Sequence, residues 1–437
     1  MKIFCLSHDF PGASLCLRLL REGNEVRAFV GDPLYRQVLD GLIDKVDDLD
    51  QGIAWVGRDG LIVVDDVGFG ELQDRLRGEG YAVVGGSAGG DLLENDRLHC
   101  QRVLAEHGVR PVPIHYFENR QEAIGFLRHH PGRWVLKQNG GADKTFCYVG
   151  VLPDGRDVLD LLEYHGRNTS DNTGHFILQQ HIDGVEIGVG RYFNGQDWLG
   201  PVELNLEHKN LFPGCLGPKT DEMGTLMWYD PDENNRLFQE VLAPLAPHLR
   251  QIGFRGDFDI NCIVNKQGAF PLEATSRFGY PAFQLQTEFH CSSWADFLNA
   301  VALGKPYDLE WRPGYGIVVL VALTPFPFLH AAERTRPLPL GLRINFHEYP
   351  GEEELRHFHP EEVTVGQDEQ GREVWHTCSD TGYILHVSGM GATVEEARDM
   401  AYQRIDNLVI PKMFYRHDIG MRFLKQDRAL LTQWGWM

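Results

Sequence analysis

No CxxC pair occurs among the eight cysteines, Cys5, Cys16, Cys100, Cys147, Cys215, Cys262, Cys291 and Cys378. A zinc ribbon or disulfide framework is therefore not what organises the chain, and the expectation is buried free thiols in a reducing compartment. Long apolar runs are missing too: the most apolar stretch, Ile317 to Leu323, is far too short to cross a bilayer. Met1 is not followed by a basic region and an apolar core, so the reading is cytoplasmic, without a membrane partner. Positive charge is scarce, since 41 Lys and Arg against 62 Asp and Glu leave a formal charge of −21. That balance works against nucleic acid as a partner and leaves small molecules, bound by a monomer or homodimer. GxGxxG is absent from the first loop, Ser7-His-Asp-Phe-Pro-Gly12, so a dinucleotide oxidoreductase lacks its fingerprint. Gly85-Gly-Ser-Ala-Gly-Gly90 likewise lacks the Lys-Ser/Thr ending of a P-loop and reads as a turn into a helix over 91–107.

What is present is an ordinary globular composition, 43% hydrophobic and 24% charged over 437 residues, long enough for roughly two to four domains. Apolar segments at 2–6, 25–30, 61–64 and 81–84 alternate with helical spacing such as 13–21. Such alternation predicts a parallel sheet covered by helices, with ligands at the carboxyl ends of its strands. His8 lies in the first such loop, and Asp65 and Asp66 end the third strand, which makes all three candidate substrate contacts.

The stretch 256–284 holds the densest chemistry. Asp257, Asp259 and Asn261 alternate with Phe258 and Ile260, so in a strand the three polar groups leave one face. A turn at 265–268 returns the chain antiparallel, which brings Glu273 and Thr275 to the same side. Oxygen ligands on neighbouring rungs suit magnesium or manganese held jointly with substrate phosphates better than zinc. Arg277 adds a guanidinium fork, and Tyr280 after it is a further candidate substrate contact. A hairpin with a merely solvated polar face is the competing reading. Upstream, Lys137 ends a strand over 134–137 and Lys144 follows a glycine-containing loop, a workable pair for nucleotide phosphates. A further strand over 176–182 carries Gln179, Gln180 and Ile182, closes with Asp183-Gly184 and is followed by Glu186. That order suits a hinge whose backbone reads an adenine edge while a carboxylate takes the ribose hydroxyls.

A lysine strand, a glycine loop with lysine, a hinge with DGxE and paired metal strands resemble, in that order, the ATP-grasp enzymes. In particular the chain resembles glycinamide ribonucleotide synthetase, the phosphoribosylamine–glycine ligase family. Residues 85–107 are similar to that family's GPTxxxAxLExSKxFxKxFxxxH, and 135–149 to its VIKADGLAAGKGVxV, with Lys137 and Lys144 on its two lysines. Residues 178–188 match xEExLxGEExS, placing Glu186 on the ribose-binding glutamate. His208-Lys209 matches DHKR, and Gly217-Pro-Lys-Thr-Asp-Glu-Met-Gly224 matches GPNTGGMG. LEATSRFGYPAFQ over 272–284 matches IEFNxRFGDPETQ, and 391–402 and 416–422 match GxTxxEAxxxAY and RxDIGxR. The resemblance implies an α/β and α+β ATP-grasp fold: a Rossmann-like domain over 1–101, an ATP-grasp domain over 102–320 with a lid near 113–180, and a small carboxyl-terminal domain over 321–437. It implies ATP and Mg2+ (or Mn2+) as cofactors, with Lys137, Lys144, Gln179, Gln180, Ile182, Glu186 and Lys209 around the nucleotide. Glu273, Thr275, Asn261 and Asp259 would hold the metal, and Arg277, Lys144 and Lys219 would serve the chemistry, a carboxylate phosphorylated by ATP and then captured by an amine.

Several positions depart from the family. Thr275 stands where its metal motif has asparagine, and Tyr280 and Ala282 replace the two carboxylates of RFGDPE. Lys219 and Glu222 replace Asn and Gly in GPNTGGMG, while the loops matching GNGGREHA and GPEAPL carry Asp9, Asp65 and Asp66. Aspartates repel a phosphate, so the expectation is an intact ATP half with a different amine and with the acid left open. An authentic purine-pathway ligase and a non-catalytic nucleotide-binding module are the alternatives.

Overall fold

A computed structural model describes residues 1–138, 147–168, 176–328 and 340–437. The first sheet is parallel, in the order β3-β2-β1-β4-β5, formed by β1 (Lys2–Ser7), β2 (Glu25–Val30), β3 (Asp44–Lys45), β4 (Leu61–Val64) and β5 (Ala82–Val84). β4 is buried at every position, as expected of a parallel strand covered on both faces. The helix expected over 91–107 is two helices, Ala88–Asn95 and Arg97–Glu106. Asp96 breaks it: its backbone is extended and its side chain accepts from Leu98 and His99 N–H at 3.0 Å, starting a fresh helix. Gly85 and Gly86 serve as a close-packing junction. Gly85 N–H donates to Arg255 C=O at 2.8 Å, and a side chain on Gly256 would meet the Gly85 backbone at 2.9 Å.

A second, antiparallel sheet runs β6 (Ile114–Phe117), β9 (Phe176–Gln180), β7 (Trp134–Gln138), β8 (Tyr148–Val149). The body is an eight-stranded sheet. It comprises β10 (Val185–Phe193), β11 (Trp198–Glu207), β14 (Gly224–Asp230), β15 (Gly256–Asn265), β16 (Gly268–Thr275), β17 (Tyr315–Ala322), β19 (Phe358–Pro360) and β22 (Tyr383–Gly391), in the order β16-β15-β10-β11-β14-β17-β22-β19. Between β11 and β14 a small hairpin, β12 (Asn210–Phe212) and β13 (Leu216–Lys219), rises from the sheet. β18 (Arg343–Phe346), β20 (Val363–Gln367), β21 (Glu373–Thr377) and β23 (Leu408–Val409) make a last small sheet. The largest apolar core lies between one face of the broad sheet and the helices that cover it, among them Arg97–Glu106, the helical turns over 237–249 and Val394–Asn407. Thr393 and Glu396 start that helix as a reciprocal capping box.

All eight cysteines are free; five are buried, but Cys215 and Cys291 are exposed, because their segments run at the surface rather than in a strand interior. Among the described residues no helix is long and apolar enough to cross a membrane.

Candidate active site

The hairpin β15–β16 forms as its alternation predicts. Asp259 lies opposite Thr275 and Asn261 opposite Glu273, so all four share one face. β10 flanks β15 with glycines at the matching rungs, Gly188 beside Asn261 and Gly190 beside Asp259. On the other side of β10, Gly188 meets Asn205 and Gly190 meets Glu203 of β11. The missing side chains leave room for polar groups to reach across: a Cβ on Gly188 would lie 2.3 Å from Asn205 Oδ1, and one on Gly190 3.1 Å from Asp259 Oδ2.

Glu273 is the hub of a cation cluster. Its Oε2 lies 2.6 Å from Arg97 and its Oε1 3.0 Å from Lys209 Nζ, which is also 2.7 Å from Glu207 Oε2. Lys209 first, against burial, and then Arg97 and Lys137 hold the Glu273 carboxyl well below the usual range. For Lys209, burial opposes the charge but Glu207 and Glu273 overcome it, so it stays cationic. Lys137, on β7, is pulled down to about 8 by burial, then by Arg97 and Lys209, with Glu273 opposing. Three cations around one carboxylate leave a positive surplus that phosphate oxygens can take up. Arg97 was not among the residues expected here. It sits on the lysine of the family's SK pair within 85–107, one residue after the Asp96 cap, and that match was the available signal. Lys144 lies outside the described residues.

The hinge segment follows β9. Gln179 is buried in the sheet between β6 and β7, whereas Gln180 is exposed. His181 N–H donates to Arg133 C=O at 3.0 Å, but the N–H and C=O of Ile182 bond no other backbone group among the described residues. Glu186 stands half-buried near the start of β10, on the face of Gly188 and Asn261. Among the described residues no three His, Cys, Asp or Glu side chains are arranged to hold a metal. Oxygens suited to a hard cation on this face come from Glu273, Asn261, Asp259 and Thr275, to be completed by substrate phosphates. The Asp259 carboxyl is pushed up to about 8 by burial, then by Glu207 and Asp257.

Arg277 is not part of the cation cluster. It faces Glu94 at 3.3 Å and donates to Phe278 C=O at 3.0 Å, and Asp66 and Asp9 lie beyond Glu94 as its next strongest charges. Glu94 also accepts from Ser276 N–H at 2.8 Å, which fixes the loop to the helix Ala88–Asn95. Asp65 turns inward, where Oδ2 accepts the Gly12 N–H at 2.7 Å and anchors the start of the helix Ala13–Arg21. Asp66 stays half-exposed, and His8 stacks on Phe69 with ring centroids 4.1 Å apart. Burial, then Asp66, raises the Asp9 carboxyl to about 6. Tyr280 reaches His386 Nδ1 at 3.3 Å, and that same nitrogen lies 2.9 Å from the buried Glu361, which also accepts from Gln284 at 2.9 Å. Burial raises Glu362 to about 8, with Asp9 adding to the effect. Glu361 and Glu362 went unnoticed in the sequence. They stand far along the chain, and the contact of Leu39 N–H with Val363 C=O at 2.7 Å brings their segment to the first sheet.

The carboxyl-terminal motif positions the β12–β13 hairpin. Buried Arg416 grips Asp418 at 2.8 and 2.9 Å and donates to Asn210 C=O at 2.8 Å, while Asp418 accepts the Gly214 N–H at 2.9 Å. Against burial, these contacts draw Asp418 down to about 2. Gly420 N–H meets His208 Nε2 at 3.2 Å, beside Lys209. Lys219, at the end of β13 opposite Asn210, is half-buried and makes no ion pair or side-chain hydrogen bond among the described residues.

The family described as Phosphoribosylglycinamide synthetase, C domain, matches residues 346–422. Phosphoribosylamine–glycine ligase of Corynebacterium ammoniagenes is 26% identical over 361 residues, 80% of this chain and 79% of that protein. The crystal structure of phosphoribosylamine–glycine ligase from Thermotoga maritima superposes with a TM-score of 0.70 at 17% identity, covering 96% of this chain and all (100%) of that one. The biotin carboxylase domain of Hydrogenobacter thermophilus 2-oxoglutarate carboxylase, solved with MgADP and bicarbonate, superposes at 0.64 with 11% identity over 99% of this chain and 97% of its own. The fold is the ATP-grasp fold. Within that class, this chain resembles the phosphoribosylamine–glycine ligases.

Proposed function

We propose that the protein is an ATP-dependent carbon–nitrogen ligase that joins a carboxylic acid to an amine through an acyl phosphate, and that its amine is not phosphoribosylamine. The observation that carries the reading is a division of charge. Arg97, Lys137 and Lys209 gather at Glu273, whereas Arg277 meets Glu94 first and then Asp66 and Asp9. Lys137, Arg97 and Lys209, with Lys144, hold the nucleotide phosphates, Glu186 takes the ribose, and the backbone at Ile182 takes the adenine edge. Glu273, Asn261, Asp259 and Thr275 are the residues that would hold magnesium, which when bound would offset charge on the phosphate oxygens. The acid's carboxylate oxygen attacks the terminal phosphorus as ADP leaves. The amine nitrogen then attacks the acyl carbon and phosphate departs. Arg277 and Lys219 orient the acid and offset the charge that builds on the transferred group.

Carboxylates within about 4 to 6 Å of a bound phosphate oppose it and favour a cationic or polyhydroxylated amine instead. Asp65 is not one of these carboxylates, since it turns inward and its Oδ2 accepts the Gly12 N–H. The test is ADP release over a matrix of acids and amines that includes glycine with freshly generated phosphoribosylamine. Turnover with a non-phosphorylated amine is the expected result. Robust formation of glycinamide ribonucleotide would overturn the substrate assignment. ATP binding without ADP release across the whole matrix would overturn the ligase reading and leave a nucleotide-binding module.

A further inference from the structure

Tyr280 and Tyr383 stand side by side, with ring centroids 6.0 Å apart, where three parts of the chain meet. Tyr280 and Tyr35 pack against one apolar cluster that holds Phe10, the neighbour of Asp9, together with Phe283 and Cys378. Tyr383, at the start of β22, packs against a second cluster with Phe326 and Met223, and Met223 follows Asp221 and Glu222 in the loop from β13 to β14. Glu361 reaches the same pair of rings through His386, whose Nδ1 lies 2.9 Å from Glu361 Oε1 and 3.3 Å from the Tyr280 hydroxyl. Glu362 accepts the Tyr383 N–H at 3.3 Å.

The Tyr383 ring is half-buried and its hydroxyl oxygen is shielded from solvent, yet that oxygen completes no hydrogen bond among the described residues. The charges that act on it are negative. Burial, then Glu361, and further on Asp221 and Glu222 raise its phenol well above the ordinary range. Tyr35 is raised in the same way by burial, then by Glu362, Asp9, Asp32 and Asp221. Asp221 is exposed, so the group opens to solvent. Arg277, the cation that acts on Asp9, is already held by Glu94. A phenol that keeps its proton can still accept from a donor. Water could be that donor but would leave the charge as it is, whereas an ammonium supplies both the donor and the missing charge.

That ammonium is a different group from the nitrogen that reacts, because an amine must be neutral to attack an acyl carbon. Burial, then Glu207, raises the Glu222 carboxyl well above its usual range, with Lys209 opposing. Glu222 thus stands between Tyr383 and the nucleotide site, and marks the direction in which the reacting nitrogen lies.

We propose that the amine substrate is a diamine, whose non-reacting ammonium donates to Tyr383 Oη and sits among Asp221, Glu361 and Asp9, while its neutral nitrogen points past Glu222 to the acyl phosphate. The C–N bond forms as the C–O bond to phosphate breaks, and the proton that the nitrogen sheds leaves with the phosphate. This inference rests on the ligase reading and deepens it by naming the class of amine, with Tyr383 and Asp221 as the residues that select it.

The experiment is calorimetric titration of full-length protein loaded with MgADP, using straight-chain diamines from 1,2-diaminoethane to 1,5-diaminopentane and, as controls, the monoamines of the same lengths. At least one diamine should bind about tenfold or more tightly than its monoamine, the size of a hydrogen bond to a charged group. Tyr383→Phe and Asp221→Asn should each remove most of that difference and leave ADP affinity unaltered. Tyr383→Phe deletes an oxygen that completes no hydrogen bond, so it should melt at the wild-type temperature or above, which separates recognition from a structural role. Equal binding of every diamine and its monoamine, or unaltered diamine affinity in both variants, would overturn the proposal. In the acid-by-amine screen of ADP release, turnover confined to monoamines would overturn it and keep the ligase reading, whereas no ADP release with any amine would overturn the ligase reading itself.

Discussion

Lys137 offers a direct test of the phosphate grip through pH. Its ammonium is pulled down to about 8 by burial and by Arg97 and Lys209, so it is mostly charged at pH 7 and mostly neutral at pH 9. Nucleotide phosphates bind the charged form, and the affinity gained from Lys137 is therefore full below about pH 8 and lost as pH rises through it. With a free-protein value near 8, about nine tenths of the chains are neutral at pH 9, so affinity should fall about tenfold between pH 7.5 and 9, or ~1.4 kcal/mol. That window lies above the titration of a terminal phosphate at about 6, so the ligand's own charge is constant. The assay is calorimetric ATP binding in half-unit steps of pH. Lys137→Met should bind more weakly at pH 7.5 and show no break near 8. Glu273→Gln should move the break to lower pH, because Glu273 is the carboxylate that supports the Lys137 charge. A flat wild-type profile, or the same break in Lys137→Met, would refute the assignment.

Arg416→Ala leaves the Asp418 carboxylate without its partner next to the hairpin β12–β13. Chemical denaturation should show a loss of about 1–3 kcal/mol, below the range for a fully buried pair because the Asp418 carboxylate reaches solvent. Asp259 has its carboxyl raised to about 8 in the folded protein, so the folded state holds a proton that the unfolded chain releases, and stability falls as pH rises toward that value. Asp259→Asn should accordingly stabilise the chelator-treated protein by roughly 1–3 kcal/mol at pH 7.5 and by less at pH 5, as read from denaturant midpoints. Thr275→Asn supplies the amide oxygen that the resembling family carries there. It should lower the magnesium concentration needed for half-maximal ATP turnover, and an unaltered titration would remove Thr275 from the metal face.

The pattern of local sequence was enough for the hairpin and its polar face. Strict alternation from Asp257 to Asn261 and the turn before Gly268 leave one register in which the apolar residues are buried, and the observed pairing of Asn261 with Glu273 follows. The capping box at Thr393 was equally legible, because a cap is a matter of four consecutive residues. The helix over 91–107 was misjudged for the same local reason: apolar spacing continues across Asp96, and only the cap geometry shows the break.

Residues that meet across the fold carried no such signature. Arg97 reaches Glu273 from a helix start 176 positions earlier in the chain, and Glu361 meets Gln284 and His386 from the turn between β19 and β20. The sequence also could not assign direction: Arg277 pairs with Glu94, with Asp66 and Asp9 as its next charges, while Asp65, adjacent to Asp66, turns inward to Gly12. By itself the sequence determined which segments form strands and which residue types share a face, because period and turn chemistry act over a few residues. The tertiary structure alone decided which charges meet, since ion pairing depends on distances of a few ångströms between groups that the chain separates by a hundred residues or more.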